Sequence, residues 1–107
     1  MEPTLTTKAT LSFDPDGFMR DPDGWSEDIA QRIAALDGLG NMDERQLILV
    51  RQLRASFRKR GALPALNHVC RISGFGPDCM TRLFPDAREA WRIAGLPNPG
   101  EEAKAYL

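Results

Sequence analysis

The sequence predicts a mainly α-helical domain: a small orthogonal bundle of about five helices with an N-terminal β-hairpin, a C-terminal arm and a helix-turn-helix-like pair. Three observations carry that expectation. Apolar residues recur at helical spacing through most of the middle of the chain, as in Ile29, Ile33 and Leu36. Glycine and proline punctuate that pattern at short intervals, so the helices are short and turn sharply into one another. The only segment that alternates is Ala9 to Phe13, next to a turn sequence.

Residues 1–8 lack periodicity and read as a flexible arm, with the folded domain expected over 9–99 and a tail over 100–107. Asp14-Pro15-Asp16-Gly17 is a four-residue turn, because proline presets φ at its second position and glycine accepts a positive φ. Phe13 and Phe18 flank it and are expected to pair across the hairpin. After a second turn at Asp21 to Gly24, a helix starts at Trp25 or Ser26, with Glu27 and Asp28 at its positive end and Gly38 and Gly40 beyond its close. Asp43 and Gln46 form a capping-box start for the strongest helix, about 43–60, whose core face is Leu49, Val50, Leu53 and Phe57. Gly61 ends it. Pro64 fits the first position of a third helix running to about Ser73, with Leu66, Val69 and Cys70 inward. Gly74-Phe75-Gly76 turns the chain, and Pro77 opens a fourth helix carrying Met80, Leu83 and Phe84. Asp86 and Glu89 predict a second capping box for a fifth helix, which buries Ala87, Ala90, Trp91 and Ala94 and ends at Gly95. Leu96-Pro97-Asn98-Pro99-Gly100 cannot continue it. The final residues are expected to project as a tail with at most brief helicity.

The 107 residues carry 14 Lys and Arg against 15 Asp and Glu, but the charges are divided. Residues 1–44 hold three basic and ten acidic residues, and residues 45–92 hold ten basic and three acidic ones. Such a split marks either internal cancellation or an acidic partner on the basic part. Arg51, Arg54 and Arg58 line one stripe of the long helix, continued by Lys59 and Arg60. Residues 65–84 have helix-turn-helix spacing, and the second helix would present Thr81 and Arg82. DNA binding through these groups is one alternative function, although one arginine is few for reading bases and Asp78 opposes phosphate.

Little in the chain supports catalysis. Two cysteines are too few for a disulfide scaffold, neither belongs to a C-x-x-C pair, and His68 is the only histidine. With three such ligands in all, no metal site is expected, and no cofactor motif is present. Cys79, near a helix N-terminus that lowers thiol pKa, and Cys70, in an apolar stripe, are the candidate nucleophiles, with a structural role favoured for both. The aspartates at 14, 16, 21 and 23 fit turn chemistry better than a calcium loop. No apolar run approaches the ~20 residues of a membrane span, and no signal peptide is read, so a cytoplasmic protein is expected, as a monomer or weak dimer.

Several segments resemble the DsrC/TusE family of sulfur-relay proteins: Phe13 to Phe18, Asp21 with Trp25, Val50 to Arg54, Leu83-Phe84-Pro85-Asp86, and Ala94-Gly95-Leu96-Pro97-Asn98-Pro99. They occur in family order across residues 13–99. The resemblance implies a small helical fold with an N-terminal hairpin, and a cytoplasmic carrier of persulfide sulfur on a C-terminal arm. It also implies partners of the sulfur relay, of tRNA thiolation or of dissimilatory sulfite reductase. The family's carrier cysteine corresponds to about Glu102, with Tyr106 penultimate, and its second cysteine corresponds to Trp91. A carboxylate or a phenol cannot hold a persulfide. The resemblance therefore implies a non-catalytic interaction or regulatory protein of sulfur metabolism, docking through its acidic tail by Glu101 and Glu102 with Tyr106 and Leu107 as apolar anchors. A carrier relocated to Cys79 or Cys70 is the remaining alternative.

Overall fold

The computed structural model describes residues 12–107. Among the described residues a 3-10 turn, Pro22–Gly24, precedes six helices: α1 Glu27–Leu36, α2 Glu44–Arg60, α3 Leu66–Ile72, α4 Cys79–Leu83, α5 Ala87–Ile93 and α6 Glu101–Lys104. The fold is mainly helical, with five helices where the periodicity places them and a sixth in the tail. α1 packs on α5, α2 on α3 and α5, and α4 on α3 and α5. Trp91, Ile33, Leu49, Leu53 and Ile93 are fully buried at the centre.

Caps set the helix starts. The Ser26 hydroxyl accepts from the Ile29 amide at 3.3 Å. At α2 the reciprocal box forms as expected: the Asp43 carboxylate accepts from the Gln46 amide at 3.0 Å, and the Asp43 amide donates to the Gln46 side chain at 2.9 Å. Gln46 also donates to the Leu83 carbonyl at 2.7 Å, which ties the start of α2 to the end of α4.

Local expectations fail at five places, each with a physical reason. Among the described residues no strand forms; one antiparallel bridge joins Phe13 to Met19, and residues 9–11 of the expected hairpin lie outside the described residues. The pairing is 13 with 19, not 13 with 18. The Asp14 amide donates to the Phe18 carbonyl at 2.8 Å, so five residues close the turn and Phe18 points inward, fully buried. In α1 the buried face centres on Ala30, Ile33 and Ala34, which leaves Leu36 on its rim at 68% exposure. α3 starts at Leu66, not Pro64, with Ala65 as its cap. α4 starts at Cys79, because Asp78 adopts a left-handed φ of 60° between Pro77 and the helix.

The second capping box is only half formed. Asp86 accepts from the Glu89 amide at 2.8 Å, but the Glu89 side chain turns toward Asp37. There burial and the neighbouring Asp37 carboxylate push its carboxyl up to about 8. Arg92 holds Asp37 through two hydrogen bonds, at 2.8 and 3.2 Å. A Glu89 proton is thus retained in the folded state between its ordinary value of 4.5 and about 8, whereas the unfolded chain has released it. That term favours folding below pH 4.5 and fades as pH rises through 8. Glu89→Gln should remove this slope and raise stability at pH 8.5 by about 1–2 kcal/mol, discounted for solvent screening. Urea titrations at pH 5.5 and 8.5 check it; equal slopes in both proteins would contradict the shared-proton arrangement.

Candidate functional site

The tail expected to project instead lies against the body. Four polar side chains, Asp14, Asp16, Asn98 and Lys104, converge where the Asp14–Gly17 turn meets it. Asn98 donates to Asp14 at 3.1 Å and to Asp16 at 2.9 Å, while its side-chain oxygen accepts from the Gly100 amide at 2.9 Å. From α6, Lys104 reaches Asp16 at 2.6 Å and Glu101 at 2.9 Å. The Lys104 and Asn98 hydrogen bonds hold the Asp16 carboxyl below the usual range. Partial desolvation pushes Asp14 up, but the Phe18 amide and Asn98 outweigh it and leave this carboxyl low as well. These two aspartates therefore latch the arm. Of the expected docking residues, Glu101 and Glu102 are exposed, Tyr106 is 73% exposed, and Leu107 packs half-buried on the core cluster.

The arm forms one wall of an open groove of about 860 Å³, whose opposite wall comes from the α2–α3 connection, α3 and α4. This groove brings the arm and the helix-turn-helix-like pair together.

Cys70 and Cys79 are joined as a disulfide, with Cα atoms 5.6 Å apart, and both are fully buried. This corrects the expectation of two independent cysteines, and of a Cys79 thiol activated at a helix start: no free thiol is present there. Cys70 was placed on an inward face and Cys79 at a helix start, and the Gly74–Gly76 turn folds α3 onto α4 so that the two meet. Their placement on either side of a tight turn was the available signal.

The basic stripe is largely consumed within the fold. Arg51 donates to Glu27 at 2.5 Å, and that hydrogen bond raises the Arg51 pKa. Arg54 lies over the Trp25 ring at 4.4 Å and donates to the carbonyls of Ala94 at 2.9 Å and Pro22 at 3.0 Å. Burial, then the neighbouring Arg58, lowers its pKa. Arg82 folds back onto the carbonyls of Phe75 and Pro77, and Thr81 donates to the Asp78 carbonyl at 3.1 Å. Arg58, Lys59 and Arg60 form an exposed run of three consecutive basic residues at the end of α2. Arg51, Arg54, Thr81 and Arg82 thus spend donors on contacts within the fold, although all but Arg54 remain exposed. The acidic N-terminal part does meet the basic middle, through Arg51 with Glu27 and Arg92 with Asp37.

Sequence reading missed the position of Trp25. Its indole donates to the Ile93 carbonyl at 2.8 Å and stacks on Arg54, while Trp91 donates to the Pro97 carbonyl at 2.8 Å. The two indoles thereby fix the Ala94–Pro99 segment from which the arm departs.

A helical body whose last long helix feeds a Leu-Pro-x-Pro segment and a latched arm defines a class of small arm-bearing proteins. The family model described as DsrC like protein matches residues 6–101. The sulfurtransferase TusE of Salmonella typhimurium is 31% identical over 98 residues, covering 83% of this chain and 89% of the relative. TusE of Escherichia coli K12 is 30% identical with the same coverage. Among solved structures, the oxidized gamma-subunit of dissimilatory sulfite reductase (DsrC) from Archaeoglobus fulgidus superposes with a TM-score of 0.68 at 31% identity, covering 84% of this chain and 90% of that one. The DsrC/gamma subunit of Pyrobaculum aerophilum gives 0.69 at 34% identity, covering 83% of each chain. The chain belongs to the DsrC/TusE family of sulfur-relay proteins.

Proposed function

We propose that this protein is a non-catalytic interaction or regulatory protein of sulfur metabolism, which engages a sulfur-relay or sulfite-reductase-type partner without itself carrying sulfur. One observation carries the reading: the only two cysteines in the sequence are bonded to each other and inaccessible to solvent. A persulfide carrier needs an exposed thiolate that can attack and be attacked. Full burial keeps attacking thiolates from the Cys70–Cys79 bond, so its persistence in a reducing cytoplasm, where we place the protein as a monomer or weak dimer, has a physical basis. The arm is the docking element, offering Glu101, Glu102, Tyr106 and Leu107. Releasing it costs exposed polar contacts and the partial burial of Leu107, a small barrier for a partner to overcome.

Copurification with the catalytic subunits of a dissimilatory-type sulfite reductase, or with a sulfurtransferase complex from the same source, tests this. The full chain is retained, and deletion of residues 100–107 reduces retention at least tenfold. Equal retention of both forms would remove the arm from the account.

A further inference from the structure

The groove beside the arm differs in chemistry from the rest of the surface. Its apolar surface includes Leu63, Leu66, Met80 and Leu107, and its lining also includes three carboxylates, Asp78, Asp86 and Glu102. Among the described residues no lysine, arginine or histidine lines it, although the surrounding half of the chain is the basic one. The exposed cluster Arg58, Lys59 and Arg60 ends just before the lining begins at Ala62. Asp86 spends one oxygen on the Glu89 amide. Asp78 and Glu102 are exposed, one on each wall.

We propose that this groove receives a short cationic, apolar segment of a partner protein, its apolar side chains on Leu63, Leu66 and Met80 and its Lys or Arg groups between Asp78 and Glu102. The inference rests on the interaction reading above and adds the chemistry of what is recognised. A volume of about 860 Å³ is enough for several side chains, within the range of well-formed binding clefts. Apolar burial supplies affinity, and carboxylates on facing walls select sign and register. An acidic segment, or DNA, would meet three like charges with no cation to offset them. Because one wall is the arm itself, a segment seated here contacts both the body and α6, so binding reports the arm's position.

The test uses the ¹⁵N-labelled full chain and two synthetic amphipathic peptides with the same leucine face, one flanked by lysines and the other by glutamates. The lysine peptide should shift the amides of Leu63, Leu66, Thr81 and Ala103 saturably, and the glutamate peptide should leave them unmoved. The double variant Asp78→Asn, Glu102→Gln should weaken the lysine peptide roughly tenfold. Asparagine tolerates the left-handed backbone at position 78, so the fold is preserved. Equal binding of both peptides, shifts confined to other surfaces, or unchanged affinity in the double variant would each overturn the proposal. Concentration-dependent shifts at the same amides without peptide would assign the groove to a second copy of this chain and overturn it as well. If the full chain retains a relay partner but the peptides fail, the groove alone is wrong. If the lysine peptide binds as described and no relay partner is retained, the groove stands and the sulfur-metabolism reading fails.

Discussion

Gly95→Ala should destabilise the domain by about 2–5 kcal/mol, a large share of a small domain's stability of about 5–15 kcal/mol. Gly95 sits at φ 69°, and a Cβ there would lie 2.2 Å from Cδ1 and 2.7 Å from Cγ of Trp25. The indole cannot retreat without cost. Its N–H holds the Ile93 carbonyl, and the Arg54 guanidinium covering its face also binds the Ala94 carbonyl. A left-handed alanine costs about 1–2 kcal/mol by itself, and forced overpacking adds roughly 1–3 kcal/mol. Gly38→Ala provides the control. Its φ is 86° with nothing within 4 Å of the added carbon, so only the backbone term applies. Denaturant titrations of the two variants separate the effects. Equal losses would show that Trp25 does not pack against Gly95 as described.

Reduction of Cys70–Cys79 should lower stability by about 2–3 kcal/mol, or roughly 10–20 °C in Tm for a domain of this size. The bond closes a loop with a sequence separation of nine, and short loops sit at the low end of disulfide stabilisation. Cys70→Ala/Cys79→Ala should show the same loss with or without reductant, whereas the parent shows it only when reduced. Because both sulfurs are fully buried, a thiol reductant should cleave the bond in native protein only at the rate of local opening. An unchanged Tm on reduction would mean that packing alone holds α3 on α4.

Helices were legible in this sequence wherever a cap and an apolar stripe agreed. Asp43 with Gln46, followed by Leu49, Val50 and Leu53, placed α2 to within a residue. α3 and α4 were placed less well because their starts carry no side-chain cap: Pro64 and Pro77 suggest the openings, and the chain runs on past each before turning helical. Contacts between distant segments were not legible. Glu89 fits a capping box by local spacing, yet Asp37, far away in sequence, claims its side chain. Arg54 reads as a surface cation until Trp25 and the Ala94 carbonyl are brought beside it. Cys70 was assigned to an apolar stripe and Cys79 to a helix start, and only the packing of α3 on α4 makes them neighbours. The latch on the arm was hidden for a similar reason. Asp16 and Asn98 look like ordinary turn residues, and their meeting depends on where the body places the two turns.

Sulfur loading bears most directly on whether this family member acts without carrying sulfur. Intact-mass spectrometry of the full chain, after incubation with a polysulfide or a persulfide-loaded sulfurtransferase, should show no reductant-reversible sulfur adduct, under conditions where a relative with the arm cysteine loads. A reversible adduct that disappears in Cys79→Ser or Cys70→Ser would contradict the account and make this chain a carrier with a relocated thiol.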